Sequence, residues 1–504
     1  MRAKRYIYSI FSSLWGQLVT ILSGLILPRI FIKQFGSEIY GATTSITQFL
    51  GYIALLEGGI GGVARAALYK PLADQDDLEI SKVISYILRF FRIIALIFAV
   101  YAILLAFFYH KIAKNNSMDW LFLFLLVIVI AFSSLAQYYF GIAYTVLLQA
   151  DQKRYFTEVL NSSALLINTL LSCVLVHFGV NMIGIRLAWC GVHVLRIGIL
   201  NLYIRRTYRL QKLKVQGDYL PEKWDGLGQH IAYFLHSHTD AIVLTVLVNL
   251  SEVSVYSIYN YIAASLVTLV SSLGANMEAV FGDMLAHNEK RNLSNFFNYI
   301  EFLMNFGIIV GFSVAAGLIF PFVRIYTSGI TDANYYRPVL GYLMLLSQML
   351  YCIRMPYHSL AIAAGHFRET KNAAFIEAGL NLTFSWLLGS VYGAEGVVFA
   401  TVISICYRTV YYAVYIENHI LYRSMKKFFK RLFITILNIG INFMFFQFLN
   451  QLIGDINSFG KWIPTAFLFT VVAVINTVII SELFYQDEFK VLFEKVKRSI
   501  NYTE

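Results

Sequence analysis

The chain has 504 residues, of which 58% are hydrophobic and 14% are charged, and its formal net charge is +11. Soluble domains average about 45–50% apolar and about 25% charged residues, so this composition excludes an ordinary soluble protein. Apolar runs recur along the whole chain, and about 20 such residues cross the hydrocarbon core of a bilayer as a helix. The pattern predicts an all-α polytopic membrane protein.

Fourteen transmembrane helices are predicted, joined mostly by short loops. The longest polar connection covers 205–227, after the sixth helix. In the stretch FGSEIYG, Gly36 is expected to end helix 1 and Ser37 to cap helix 2. The predicted helices span 8–32, 39–67, 84–109, 120–149, 157–178, 182–204, 228–250, 253–285, 297–323, 338–364, 371–391, 395–417, 432–452 and 462–484.

The distribution of Lys and Arg predicts which side of the membrane each loop faces. With the N-terminus in the cytoplasm, the inner segments hold 26 of these residues and the outer segments at most seven. Because cytoplasmic loops carry the excess of positive charge, both termini are predicted to be cytoplasmic. The basic inner surface suits anionic membrane lipids, and nucleic acid need not be invoked. Residues 424–431 and 485–504 have amphipathic patterns and are expected to lie on this surface.

Four pairs of similar segments recur at a nearly constant spacing, which indicates an internal repeat of six helices. Six is an even number, so both units run in the same sense and form parallel repeats. Two such bundles are typical of transporters that bind substrate between the halves. The pairs are Tyr40 with Tyr256, 73–87 with 286–300, 150–154 with 364–368, and 184–196 with 396–408.

The repeat predicts two lobes and three further segments. Helices 1–6 form an N-lobe and helices 7–12 form a C-lobe, while helices 13 and 14 lie outside the repeat. The predicted boundaries are 1–204 for the N-lobe, 205–227 for a cytoplasmic linker, 228–423 for the C-lobe, 424–484 for helices 13 and 14, and 485–504 for an amphipathic cytoplasmic tail.

Two segments near the N-terminus carry a family pattern: LPRIFIKQFGSEIYGATTSI (27–46) and LLEGGIGGVARAALYKPLAD (55–74). LLQADQKRY (147–155) and the glycine-led sixth and twelfth helices extend it over the whole chain. In these features the chain resembles bacterial O-antigen and capsule repeat-unit flippases of the multidrug/oligosaccharidyl-lipid/polysaccharide exporter superfamily. The family's LELG pattern is Leu56-Glu57-Gly58-Gly59 here, so the glutamate is kept and the next leucine is glycine.

The resemblance implies a transporter, not an enzyme, in the bacterial cytoplasmic membrane. It implies alternating access of two lobes that moves an undecaprenyl-diphosphate-linked oligosaccharide from the inner to the outer leaflet, for surface polysaccharide synthesis. Other polysaccharide assembly proteins are implied as partners, and no cofactor is implied beyond coupling to H⁺ or Na⁺. In related lipid II flippases two extra helices flank a lipid-tail groove, which would correspond to 432–452 and 462–484.

Arginines inside the helices are the candidates for binding an anionic diphosphate headgroup, because the guanidinium is a fixed fork of donors. Arg354 lies deep in helix 10, just before Pro356. Arg196 and Arg408 are related by the repeat, and Arg29 lies at the outer margin of helix 1. Ionisable groups within a membrane need a partner or a wet cavity, so pairing of Arg196 and Arg408 inside their own lobes is an equal alternative.

Acidic residues are the candidates for ion coupling and gating. Glu57, among several glycines of helix 2, and Asp240, in helix 7, are suited to bind H⁺ or Na⁺, and a structural ion pair is the alternative. The repeat relates Arg65 to Glu278, so this pair is predicted to close the cytoplasmic side, or each residue pairs inside its own lobe. His236, His238 and Asp240 are not expected to bind metal, because residues two apart point to different faces of a helix.

Two other functions stay open. A multidrug or cation antiporter of the same superfamily shares the twelve-helix core but usually lacks helices 13 and 14. A membrane glycan polymerase or ligase belongs to another class, and it needs a large external loop with catalytic residues. The outer loops of this chain are short and hold no convincing acid–base pair.

Overall fold

The computed structural model describes residues 2–57, 60–113, 117–211, 213, 238–274 and 277–485. Most of the predicted linker, almost all of the predicted tail and His236 lie outside these residues. Within the described part, every regular element is a helix, which confirms the all-α class. The helices are α1 (Arg2–Phe35), α2 (Ser37–Gly51), α3 (Ala54–Glu57), α4 (Ile60–Asp74), α5 (Asp77–Ile112), α6 (Trp120–Phe140), α7 (Ile142–Ala150), α8 (Arg154–His177), α9 (Met182–Thr207), α10 (His238–Leu247), α11 (Leu250–Leu273), α12 (Met277–Ala286), α13 (Lys290–Tyr326), α14 (Pro338–Ala363), α15 (Phe367–Ile416), α16 (Lys426–Ile453) and α17 (Phe459–Phe484).

Eleven helices of the described part are long and apolar enough to cross a membrane, or twelve if one bent pair is a single span. The helical membrane-protein class is therefore confirmed, whereas the count of fourteen spans and the repeat layout stay predictions. One of the eleven covers 55 residues, Phe367–Leu421. That length is more than twice the roughly 20 residues that one crossing needs.

Several predicted helices are interrupted. The predicted helix 39–67 is divided into α2, α3 and α4, with a bend of 46° before Ile60. The predicted helix 120–149 is broken at Gly141, which separates α6 from α7. The range of α15 contains two predicted helices, 371–391 and 395–417, which fold back on each other at Gly393. The φ of 60° and ψ of −135° at Gly393 are not helical and suit a residue without a Cβ, and Asn381 donates to Thr401 at 2.9 Å across the hairpin.

The turn between α1 and α2 follows the sequence prediction in part. Gly36 has a φ of 87° and interrupts the helix after Phe35, as predicted. The predicted cap was wrong, because Gly36 occupies the N-cap position and Ser37 is already the first residue of the helix. Gly41 at the end of the motif has another role: a Cβ built there would collide with the backbone carbonyl of Leu250. The glycine therefore allows α2 to pack directly against the start of α11.

The predicted surface helix at 424–431 is not a separate element. Lys426 begins α16, so this basic segment forms the first turns of a long apolar helix. Phe428 and Arg431 are 2% and 5% exposed, respectively, whereas Lys426, Lys427, Phe429 and Lys430 are exposed. Contact of this segment with an anionic lipid surface stays a prediction.

The contacts divide the chain into two compact units, Met1–Ser257 and Ile258–Glu504. In the first unit, an apolar core joins helices from α1 to α9, and α10 packs on α2 through a hydrogen bond of 2.7 Å from Thr245 to Ser45. In the second unit, α16 and α17 pack against α13 through stacked Phe446 and Phe469 and through Asn442, which donates to Ser313. The predicted domain boundaries stay predictions.

Candidate functional site

A buried charged group joins α14 to α15 in the second unit. Arg354 of α14 donates to Oε1 of Glu377 at 2.7 Å, and Arg408 donates to Oε2 of the same carboxylate. Glu377 precedes the kink at Gly393 and Arg408 follows it, so the group links α14 to both halves of α15. We call Arg354, Glu377 and Arg408 the triad.

The triad is almost inaccessible to solvent. The side chains of Arg354 and Arg408 are 6% exposed and that of Glu377 is 0% exposed. The two guanidiniums also lie near aromatic rings, 4.9 Å from the Tyr351 centroid and 5.5 Å from the Tyr412 centroid. A shared carboxylate offsets part of the cost of burying two cations in a membrane. Arg354 and Arg408 thus pair inside their own unit, and their binding of substrate stays a prediction.

Arg196 of α9 has no carboxylate among its described partners. It donates to Oε1 of Gln137 in α6 at 2.5 Å and to Oδ1 of Asn161 in α8. One of its nitrogens lies 3.1 Å from Nε2 of His193, one turn earlier. Gly141 leaves room for this arrangement, because a Cβ there would come within 2.7 Å of the Gln137 oxygen. We call Arg196, Gln137, Asn161 and His193 the Arg196 cluster.

A second charged network lies where α15 gives way to α16, and it fastens α16 to α13. Arg423 donates to Glu301 of α13 at 3.0 Å and to Glu417 at 2.5 Å. Arg431 of α16 and the hydroxyl of Tyr357 also donate to Glu301. Two arginines and two carboxylates balance in charge, so this network is a closed structural junction. None of its residues was among the predicted sites.

The electrostatics of Arg423 keep this junction ionised. Burial lowers the pKa of Arg423, but its hydrogen bond to Glu417 and the charge of Glu301 outweigh burial. The pKa therefore lies above the ordinary value of an arginine. Because the guanidinium holds its proton at every physiological pH, the junction cannot act as a proton carrier at this residue.

The two predicted ion-coupling acids each accept a hydrogen bond from a tyrosine. Glu57 ends α3 at the bend before α4 and accepts from Tyr138 at 3.5 Å. Asp240 of α10 is 6% exposed and accepts from Tyr256 at 3.1 Å. Both positions are inside apolar helical segments, where a carboxyl group is costly to ionise. Their role in ion coupling stays a prediction.

Three predicted site residues remain, namely Arg29, Arg65 and Glu278. Arg29 is half-buried in α1. Arg65 of α4 donates to Gln149 of α7 at 2.9 Å, inside the first unit. Glu278 is exposed at the start of α12, in the second unit. The gate formed by Arg65 and Glu278 stays a prediction.

The buried or partly buried charged residues that were not predicted include three inside long helices: Glu377, Glu301 and Arg186. The guanidinium of Arg186 in α9 lies 4.5 Å from the Trp189 ring centroid and 5.7 Å from that of Phe31. Each of these three is an ionisable residue inside an apolar run, which is a feature that the sequence alone makes visible.

One cavity of about 440 Å³ lies at an end of the second unit and contains none of the predicted site residues. It is lined by residues between Gly282 and Leu293, by His366, and by His419 of a short π-helix (Glu417–Leu421) with the following Tyr422. No group of three His, Cys, Asp or Glu side chains within the described ranges is placed to hold a metal ion.

Comparison with known proteins identifies solved structures that share the fold. No protein-family model and no curated protein sequence matches the chain. Among solved structures, the lipid II flippase MurJ in an inward closed conformation is similar with a TM-score of 0.70 and 16% identity, over 96% of this chain and 99% of the flippase.

Multidrug transporters are similar over a smaller part of the chain. A multidrug resistance MATE family transporter of the MOP superfamily, inward-facing, has a TM-score of 0.60 and 15% identity over 80% of this chain and 95% of its own. The MATE multidrug transporter DinF-BH has a TM-score of 0.57 and 15% identity over 84% of this chain and 97% of its own. At these identities the likeness establishes the fold: this chain has the fold of the lipid II flippase and MATE transporters.

Proposed function

We propose that the chain is a lipid-linked oligosaccharide flippase of the MOP superfamily. It moves an undecaprenyl-diphosphate-linked repeat unit from the inner to the outer leaflet of the bacterial cytoplasmic membrane, with both termini in the cytoplasm. It works by alternating access and supplies surface polysaccharide synthesis, together with other assembly proteins. It carries out transport and catalyses no bond cleavage.

The observation that carries this proposal is the extent of the fold likeness. The two MATE transporters are matched over almost their whole length, yet they cover only 80% and 84% of this chain. The lipid II flippase covers 96% of it. Residues 424–504, which include α16 and α17, make up about a sixth of the chain. That share is similar to the difference between the coverage by the flippase and the coverage by the MATE transporters. A flippase of a lipid-linked substrate is therefore favoured over a multidrug transporter.

The charged side chains support an anionic substrate. Arg196, Arg354 and Arg408 lie within helices that are apolar and long enough to span the membrane. Guanidinium groups bind diphosphate through several charge-assisted hydrogen bonds. A transporter of lipophilic cations would be better served by carboxylates that are not neutralised by arginine. Glu377 and Glu301 are each held by two arginines.

Coupling to H⁺ or Na⁺ is proposed at Glu57 and Asp240. Both acids accept from a tyrosine hydroxyl, which stabilises either the ionised carboxylate or, after rotation of the hydroxyl, the protonated acid. Glu57 lies at the bend between α3 and α4, where a change of charge can be transmitted to the helix angle. No cofactor is part of the proposed mechanism.

Depletion of the protein in its source organism tests the proposal. Lipid-linked oligosaccharides are extracted after depletion, and their sidedness is measured in spheroplasts with a membrane-impermeant lectin or glycosidase. The expected result is accumulation of lipid-linked repeat units that the probe cannot reach, with restoration by the wild-type gene. An unchanged amount and sidedness of these lipids in depleted cells, together with increased sensitivity to cationic drugs, would favour the antiporter instead.

A further inference from the structure

The cavity of about 440 Å³ in the second unit is formed by three connecting segments that are all predicted to be cytoplasmic. They are the turn between α12 and α13, the turn between α14 and α15, and the segment that joins α15 to α16. Its volume lies within the range of about 300–1,000 Å³ that is usual for sites of small organic ligands. The cavity is therefore large enough for an organic ligand at the cytoplasmic end of the unit.

Two histidines of the lining are oriented by one tyrosine, Tyr415 of α15. Nδ1 of His419 donates to the backbone carbonyl of Tyr415 at 3.0 Å, and the two rings stack with their centroids 4.5 Å apart. Nδ1 of His366 lies 2.9 Å from the hydroxyl oxygen of Tyr415. Among the described residues, Nε2 of neither histidine makes a hydrogen bond. Both Nε2 atoms are therefore available to a ligand.

The segments around the cavity carry more basic than acidic residues. Lys290, the first residue of α13, lines the cavity and is exposed. Glu289 is the carboxylate of the described lining, and it accepts from Nδ2 of Asn292 at 2.8 Å. Among residues 282–293, 363–371 and 417–427, the basic ones are Lys290, Arg291, Arg368, Lys371, Arg423, Lys426 and Lys427, and the acidic ones are Asp283, Glu289, Glu369 and Glu417. This excess of positive charge favours an anionic ligand.

The rest of the lining is largely apolar and includes Met284, Leu285, Leu293 and Ile420. An inorganic anion makes no use of such a surface, whereas an organic group gains free energy by leaving water there. Lys290 and the two Nε2 atoms offer three partners, which matches the three acceptor oxygens of a phosphate monoester. Near neutral pH such a phosphate exists with and without its second proton, so it both donates to and accepts from histidine nitrogens.

The π-helix Glu417–Leu421 connects the cavity to the charged network around Glu301. His419 and Ile420 line the cavity, while Glu417 accepts from Arg423 in the network. Tyr422 follows with a φ of 50° and a ψ of 45°, which is uncommon for a bulky residue. Turns of the π type are rare and occur frequently at functional sites. A ligand in the cavity therefore contacts the same turn that holds Arg423.

We propose that this cavity binds a small organic phosphate monoester on the cytoplasmic side, and that binding stabilises the π-helix. Lys290, His366 and His419 bind the phosphate, and the apolar lining contacts the organic part. None of the residues proposed to bind the transported lipid lines the cavity, so this is a further site. The monoester is either a soluble compound or the headgroup of a lipid such as phosphatidic acid, which share this chemistry.

The site is tested with two soluble phosphate monoesters, glycerol 3-phosphate and uridine monophosphate, on the purified full chain in phosphatidylcholine nanodiscs. Glycerol and uridine are the uncharged comparisons. Lys290→Gln and the double variant His366→Gln/His419→Gln are each expected to weaken phosphate binding by about tenfold or more, because each removes charge-assisted hydrogen bonds. Wild-type protein that binds neither phosphate, or folded variants that bind like the wild type, would overturn the proposal.

Arg291→Gln is the matched control. This neighbour of Lys290 is exposed, lies outside the lining and carries the same charge, so its variant is expected to bind phosphate like the wild type. A loss equal to that of Lys290→Gln would show that overall charge alone attracts the phosphate, and would remove the assignment to the cavity. Melting temperatures of all variants show whether they are folded.

Hydrogen–deuterium exchange locates the bound phosphate without any substitution. Saturation with the tighter of the two phosphates is expected to slow exchange of the backbone amides in 283–293 and 417–424, whereas α8 of the first unit keeps its rate. Unchanged exchange in 417–424 would contradict the proposed effect on the π-helix.

Nanodiscs that contain phosphatidic acid identify the source of the monoester, with phosphatidylglycerol nanodiscs as the control for membrane charge. Weaker binding of the soluble phosphates in phosphatidic acid than in phosphatidylglycerol means that the lipid headgroup occupies the cavity. Equal binding in the two means that the natural ligand is soluble, and both results uphold the site. None of these measurements involves transport, so their failure leaves the proposed flippase function standing.

Discussion

At the scale of single residues, Glu377 determines how the charges of the second unit are arranged. It is fully buried, and it accepts from two arginines that come from different helices. Removing one partner of a buried ion pair is strongly destabilising, since it leaves an uncompensated charge in a medium of low polarity. Glu377 therefore stabilises the fold by permitting Arg354 and Arg408 to be buried.

The first prediction concerns this carboxylate. Glu377→Gln is expected to lower the free energy of unfolding by about 3–5 kcal/mol, because two buried guanidiniums lose their counter-charge. Thermal unfolding in detergent measures the change, for instance through a thiol-reactive dye that reports exposure of buried Cys352.

The matched control is Arg154→Gln, which breaks the exposed pair with Glu158 and is expected to cost less than about 1 kcal/mol. The double variant Glu377→Gln/Arg408→Met should recover part of the loss, because it removes one of the two unpaired cations. A melting temperature of Glu377→Gln equal to that of the wild type would contradict the assignment.

The arginines were predictable from the sequence, but their partners were not. A charge inside an apolar run is visible in a single chain, and Arg196, Arg354 and Arg408 were found that way. Which carboxylate or amide they contact depends on the rotation and packing of helical segments that are 23 to 59 residues apart in sequence. Periodicity alone does not fix that rotation, so Glu377 and the closed junction at Glu301 were missed.

At the scale of helices, the contact of α2 with α10 and α11 is polar and close. Ser45 accepts from Thr245 at 2.7 Å, and the carbonyl of Leu250 lies where a Cβ of Gly41 would be. Small residues allow helices to approach closely in membranes, and their hydroxyls add hydrogen bonds across the contact.

The second prediction uses this proximity. In a protein whose four native cysteines are replaced, Ser45→Cys with Thr245→Cys is expected to form a disulfide under mild oxidation, because the two hydroxyl oxygens are hydrogen-bonded. Gel mobility with and without reductant measures the crosslink, and the two single variants are the controls. Absence of the crosslink would show that α2 and α10 do not pack in this way.

The same variant tests whether the contact has to open. Under the proposed alternating-access cycle, the crosslink is expected to stop export of the lipid-linked substrate in cells, and reductant is expected to restore it. Continued export at the wild-type rate by the fully crosslinked protein would mean that these helices stay together throughout transport.

Most helices were predictable in type and approximate extent, since long apolar runs have few alternatives. The breaks within helices that were predicted to be continuous were not predictable. Gly393 forms the predicted break between two helices, whereas Gly141 breaks a helix that was predicted to be continuous. Both are glycines in apolar surroundings, so the interruption at Gly141 comes from tertiary packing, where the missing Cβ gives space to Gln137. A single sequence does not contain that information.

At the scale of the whole molecule, the charge distribution predicts the topology. The described residues include eleven or twelve helices that are long and apolar enough to cross a membrane. Residues 214–237, which precede α10, are not among the described residues. Fourteen crossings are predicted from the apolar runs, and the excess of Lys and Arg on the inner segments predicts that both termini are cytoplasmic.

The third prediction tests that topology. Reporter fusions that fluoresce in the cytoplasm and reporter fusions active outside it are placed after the last helix and in the loops near 116, 180, 331 and 456. The C-terminal fusion is expected to be cytoplasmic, and the four loops are expected to be external. A C-terminal fusion active outside the cytoplasm would contradict an even number of crossings from an inner N-terminus.

Reconstitution of the purified protein in liposomes tests directly whether it transports the lipid-linked substrate. Lipid-linked oligosaccharide purified from depleted cells is fluorescently labelled and placed with the purified protein in liposomes, with and without H⁺ or Na⁺ gradients. The protein is expected to speed transfer between leaflets, measured by access of an impermeant quencher, and Arg196→Gln is expected to reduce the rate. Equal transfer in protein-containing and protein-free liposomes under every gradient, with transport of a lipophilic cationic dye in its place, would contradict this expectation.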